Sequence, residues 1–325
     1  MRVDERVLRR SDYIAGWVGW GAPEPFDAEL VVFGADGRVL RSVAVRGVPP
    51  HISHLALLDG DRFLLVSGRS GQDRHGRWAD NAYVYDRDGR REGAFCIGDD
   101  VQVVVGGRRG GIWTAYGDEG IFGHHPESRG ALAGWNSLGD AVWTPRTPFP
   151  AGPVHGLTGC TEGDDRVWLA WYCREGTYLS RITPSTGEVT TFRSPVTKID
   201  GLAVRGDRFV FSRRDHGRPA VTLTRARLVG GALEVVAEER VAVPGPVVLR
   251  CGQGRDGVLW LRAGDSWVRV EARDGRGRPV SVGVATFGAC RSPYICATPW
   301  CCRVAAPSST ATASRAGRAA RAGPC

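Results

Sequence analysis

The residues best equipped for chemistry in this sequence are its seven histidines and a scatter of carboxylates, most of them in short polar phrases between apolar runs. One set leads into runs of small apolar residues: His51 and His54 in PHISH, Gln102 in DDVQV, His155 in PVHGL, Asp200 in KIDGL and Arg250 in VVLRC. A second set follows aromatic runs: Asp73, His75 and Asp80 in SGQDRHGRWADN, Asp118 and Glu119 in YGDEGIFG, then His124 and His125, Arg174 and Glu175, and Asp215 and His216. Imidazoles change charge near neutral pH, and beside carboxylates they shuttle protons or ligate a divalent ion. By residue type, His54, His155 and Asp200 form a candidate catalytic or metal-binding set, with Mg or Ca as the cation. Gln102, Tyr116, Asp118, Glu119 and Arg250 are the candidate ligand-binding residues. The plainer reading of the same residues is a ring of polar groups hydrogen-bonded to water. On that reading Asp118 sits in a turn with Phe122 packed underneath.

These groups meet only if the chain brings distant segments to one place. A recurrent phrase shows how it could. A Gly/Asp-rich turn followed by an aromatic-led apolar run appears as DGDRFLLV (59–66), GRRGGIWTAY (107–116), EGDDRVWLAWY (162–172), RGDRFVFSRR (205–214) and GRDGVLWLRA (254–263). The leading aromatics are Phe63, Trp113, Trp168, Phe209 and Trp260, with a weaker sixth copy at Trp17. Successive steps are 46, 50, 55, 41 and 51 residues, close to the roughly 40–50 residues of one four-stranded propeller blade. Each unit continues with an alternating run, a tight turn such as ADGR, DRDGR or STGE, and a more polar run. Asp-Gly and Gly-Gly pairs suit hairpins because those turns need positive φ. No segment shows a convincing amphipathic helical period. The expected fold is therefore all-β, a six-bladed β-propeller over residues 1–284. Two stacked β-sandwiches are the competing arrangement. In a propeller, the lead-in to each inner strand and the loop after each aromatic strand emerge on one face, which gathers the candidate residues at a channel mouth.

The net charge is +8, but Arg291, Arg303, Arg315, Arg318 and Arg321 lie near the C-terminus, and without them it falls to +3. With no long basic run and no nucleic-acid motif, nucleic-acid binding is disfavoured. The N-terminal stretch lacks an apolar signal core, and no run approaches the roughly 18–20 residues of a membrane span. A cytoplasmic monomer is expected. Cys96, Cys160, Cys173 and Cys251 are widely spaced and read as small buried side chains. After Asp274 there is no acidic residue for 51 positions. Residues 285–325 read as an irregular, disordered basic tail rich in Cys, Ala and Arg, either native or translated from a shifted reading frame.

Two resemblances follow from the motifs. GGIWTAYGDEGIFG (110–123) resembles a phrase shared by bacterial, mainly actinobacterial, propeller-like proteins of unassigned activity; the likeness extends loosely over 15–270 and implies fold only. PVHGLTGCTEGDDRVWLAWY (153–172) is similar to repeats of virginiamycin B lyase and NHL-type propellers. In that lyase a channel-mouth histidine is the base beside a bound magnesium ion, and the resemblance places His155 in that role. The chain departs from the lyase in having six apparent units rather than seven and one clear His-Gly repeat. The sequence reading is a small-ligand or protein-interaction module acting through the channel-mouth face. The alternative is a metal-assisted lyase or hydrolase with a His/Asp site there.

Overall fold

The structure is a computed structural model. It describes residues 25–34, 38–49, 51–145, 152, 155–247, 252–264 and 266–272, with short strand segments at 13–14, 17–18, 283–286 and 302–303. Among the described residues it is almost entirely β. The only helical segments among them are the turn Asp118–Ile121 and short 3-10 turns at Asp59–Asp61 and Ser128–Gly130.

The described strands form five four-stranded antiparallel meanders that follow one another along the chain, spanning residues 52–95, 101–143, 155–194, 201–242 and 252–286. A hairpin, Phe26–Phe33 with Val39–Val48, precedes them. Each meander begins with a strand of small or β-branched residues: Ile52–Leu57, Val101–Gly106, His155–Thr161, Gly201–Arg205 and Gly252–Arg255. The turn that follows each of these contains a left-handed glycine, namely Gly60, Gly110, Gly163, Gly206 and Gly257. This is the physical content of the recurrent Gly/Asp phrase: an L-residue is strained at that φ and glycine is not.

The first strands pack against one another and run the same way. Cys160 and Thr161 pair in parallel with Gly254 and Arg255, and Gly201 and Leu202 with Gly252 and Gln253. A Cβ on Gly254 would lie 2.0 Å from Leu202 O, so only glycine allows this approach. Gly156 faces Ala115 and Val103 while Gly159 faces Val105, which sets the 101–143 and 155–194 meanders in the same sense. With inner strands parallel and meanders antiparallel, the start of each first strand and the end of each second strand lie at one end of the molecule. We call this end the loop face.

All five aromatic leaders are buried: Phe63, Trp113, Trp168, Phe209 and Trp260. Trp168 meets Phe209 edge-on at 5.1 Å, joining the 155–194 and 201–242 meanders. Burying such a ring contributes on the order of 1.5–3 kcal/mol. No helix of the described residues is long and apolar enough to cross a membrane.

One detail differs from the sequence reading. Trp17–Val18 pairs with Tyr13–Ile14, whereas the strand beside Phe26–Phe33 is Cys302–Arg303. The expected Trp17 copy therefore does not stand next to its unit's third strand. The last strand of the 101–143 meander, Ala141–Trp143, is short and joins through a register shift at Gly134/Trp135. Apart from 302–303 and the end of the Gly283–Thr286 strand, the expected basic tail lies outside the described residues.

Candidate functional site

The densest polar constellation on the loop face lies where the 52–95 meander hands over to the 101–143 meander. The connection ends in Asp99 and Asp100, both buried. Asp100 adopts φ 55°, a left-handed conformation that costs a non-glycine residue about 1 kcal/mol or more. Its surroundings hold it there. Gly117 N donates to Asp100 O at 2.8 Å, Glu119 N donates to Asp100 Oδ2 at 3.1 Å, and the Gln102 amide donates to Oδ1. Asp99 takes a fork from Arg69, with Nε at 2.9 Å and Nη2 at 3.2 Å, and accepts Ser70 N at 2.9 Å. Arg69 also pairs with Glu119. One guanidinium thus ties a loop of one meander to the lead-in and the helical turn of the next.

The helical turn Asp118–Ile121 is pressed onto this frame by its glycines. A Cβ on Gly120 would lie 2.2 Å from Asp99 O, and one on Gly123 2.4 Å from Glu119 O. The turn presents exposed carboxylates at Asp118 and Glu119. It also presents Phe122, which is 72% exposed and so does not pack beneath the turn. Asp118 has no ion-pair partner among the described residues.

Gln102 is buried, and its Oε1 has no hydrogen-bond partner among the described residues. Its amide orientation is fixed chemically, because the opposite one would set a carbonyl oxygen against the Asp100 carboxylate. His54 Nε2 donates to Val101 O at 2.9 Å, so the neutral ring carries its proton on Nε2 and that atom cannot ligate a metal. Tyr116 is fully buried. Its hydroxyl donates to Ile97 O and accepts from Thr114 Oγ1, both at 2.8 Å, and burial raises it above the usual phenol pKa. It supports the site from below and does not face a ligand.

His54, Gln102, Tyr116, Asp118 and Glu119 therefore gather around the 97–102 segment. His155 and Asp200 stand on other meanders. The His155 ring lies 5.5 Å from Tyr172, and Asp200 accepts Arg214 N at 2.8 Å beside the Arg214 guanidinium. No group of three or more His, Cys, Asp or Glu side chains among the described residues could hold a metal ion. Arg250 lies outside the described residues.

Sequence reasoning missed Arg69 and Asp99. The paired acids of DDVQV were a usable signal, since two carboxylates cannot lead into a buried strand without partners. A separate cleft of about 490 Å³ opens at the other end of the molecule, between the 101–143 and 155–194 meanders. Arg108, Arg109, Trp143, Asp164 and Ser185 are among its walls.

No protein-family model matches the sequence, and no curated protein matches it. Among solved structures, the chain is similar to a putative TolB from Agrobacterium tumefaciens, at 13% identity over 80% of this chain and 89% of that one, with a TM-score of 0.47. It is also similar to a functionally unknown protein from Desulfotomaculum acetoxidans, at 10% identity over 82% of each chain and a TM-score of 0.46. The Dos1 propeller matches at 9% identity over 78% of this chain and 64% of that one, with a TM-score of 0.43.

Proposed function

We propose that the chain is a six-unit propeller, the hairpin at 26–48 belonging to the first unit and the five meanders forming the rest. It serves as a protein-interaction module. Its loop face takes a basic segment of a partner, an arginine or lysine flanked by an apolar side chain. The observation that carries this reading is Phe122, exposed to 72% on a turn that the Asp99–Asp100 frame holds rigid, next to Asp118, whose carboxylate has no ion-pair partner among the described residues. A large ring displayed on a fixed backbone loses little entropy on docking, as binding hot spots require. The adjacent Asp118 carboxylate selects for positive charge. Tyr172 is the other exposed aromatic at a second-strand end, 40% exposed beside His155.

The test is fluorescence polarisation with labelled Arg-Leu-Arg hexapeptides and their Glu-Leu-Glu counterparts. The basic peptide should bind the wild-type chain, and Phe122→Ser should weaken it by about tenfold, a hot-spot-sized loss of roughly 1.4 kcal/mol. Equal affinity of the variant, or preference for the acidic peptide, would reject the reading. The metal-assisted lyase or hydrolase has no observation in its favour among the described residues.

A further inference from the structure

Cys96, His125 and Glu127 come together where Trp78 meets the His125 ring edge-on, though the first two are 29 residues apart in sequence. Cys96 Sγ lies 3.3 Å from His125 Nε2, and His125 Nδ1 lies 3.2 Å from Glu127 Oε2. We propose that these three side chains form a nucleophile, base and carboxylate relay, making Cys96 a covalent-modification site for small carbon electrophiles.

The geometry supports each role. Ser70 Oγ is 3.5 Å from the sulfur, but it gives its own proton to Ala79 O at 2.6 Å. It can therefore only accept from the thiol. His125 Nε2 is the nearer acceptor and the one able to hold the proton. With the proton of the neutral ring on Nδ1, Nε2 is free to accept, and Glu127 stabilises the imidazolium that forms. Nδ1–H is not aligned on that oxygen, so Glu127 acts mainly by charge. His125 is buried and braced by Trp78, 4.8 Å away, whereas Cys96 is half-buried. Burial raises the thiol pKa and lowers that of the imidazole, so the resting pair is neutral. The other charges bearing on the pair are Asp80 and Asp99 at the thiol, and Asp99 at the ring.

With iodoacetamide the step balances as follows. The thiol proton passes to His125 Nε2, the S–C bond forms, the C–I bond breaks, and iodide leaves with the electron pair. The imidazolium then releases its proton to water.

The full chain is labelled with isotope-coded iodoacetamide between pH 5 and 10. The tryptic fragment 92–108, whose sole cysteine is Cys96, is then quantified by mass spectrometry. The rate at Cys96 should rise through the imidazole titration, below pH 6.5, and hold a plateau from neutral pH until the thiol itself ionises in alkaline solution. At pH 7.5, His125→Gln should slow it by about tenfold or more, and Glu127→Gln by about two- to fivefold. Glu127 is partly exposed, so its variant keeps the test alive should His125→Gln fail to fold. A rate that climbs steadily past pH 9 with no inflection near neutral, or one unchanged in Glu127→Gln, overturns the relay. Peptide binding at Phe122 is read separately, so the two proposals fail independently.

Discussion

Gly117 and Asp100 sit so close that a Cβ on the glycine would lie 2.2 Å from Asp100 Oδ2. This contact fixes where the Asp118–Ile121 turn leaves the sheet. Gly117→Ala must push the carboxylate off both Glu119 N and Gln102, since the short Asp100 side chain has nowhere else to bond. The expected loss is about 1–3 kcal/mol, overpacking plus broken hydrogen bonds. Urea unfolding of the variant measures it, and a neutral result would mean that the turn is free to shift.

Arg69 and Asp99 should behave as one unit. Arg69→Ala strands a largely buried carboxylate, at an expected cost of about 1–3 kcal/mol. Asp99→Asn in the same background should recover part of that loss. A double-mutant cycle gives the coupling, and simple additivity would contradict the fork seen between them.

Stability should fall with acid through His125. Burial holds this imidazole below its ordinary value of 6.5. Above that value both folded and unfolded chains carry it neutral, and it contributes no pH dependence. As pH drops below it, the unfolded chain takes up a proton that the folded chain refuses, so stability declines until the folded pKa is reached. Asp73, Asp165 and Asp207 have values lowered by their hydrogen bonds and act only in more acidic solution. Denaturant midpoints between pH 7.5 and 5.5 should therefore drop in the wild type and change less in His125→Gln. Identical slopes would count against the buried neutral ring.

The close approach of the inner strands gives a fourth expectation. Gly254→Ala places a methyl group 2.0 Å from Leu202 O and 2.6 Å from Ala203, both on backbone packed from the far side. A loss of about 2–4 kcal/mol is expected, larger than at any exposed turn glycine. Gly230→Ala, with open space around it but φ +56°, is the comparison and should cost about 1 kcal/mol.

The scaffold was legible because its signals are local. A left-handed glycine and an aromatic three to five residues later mark each turn and buried strand, so Phe63, Trp113, Trp168, Phe209 and Trp260 could be found one by one. The site was legible only in part. Gln102 and Glu119 lie beside the turn signals and were found. Arg69 and Asp99 are joined by a fork between two meanders, a relation that no single segment carries. Phe122 reads as an apolar residue that should be covered. Only the packing of Gly117 and Gly120 onto the Asp99–Asp100 backbone shows that the turn is carried outward with the ring on its open side. His155 and Asp200 matched His54 in chemistry, but strand order assigns them to meanders whose side chains find partners nearby.

The Asp118 carboxylate beside Phe122 sets which partner the loop face selects, and one exchange addresses it directly. Asp118→Lys alters an exposed carboxylate with no ion-pair partner among the described residues, leaving the Arg69 fork and the Phe122 ring in place. In fluorescence polarisation at low and moderate salt, the wild type should favour the Arg-Leu-Arg peptide, and the variant should lose that preference or favour Glu-Leu-Glu. A variant that still selects the basic peptide as strongly as the wild type does would contradict it.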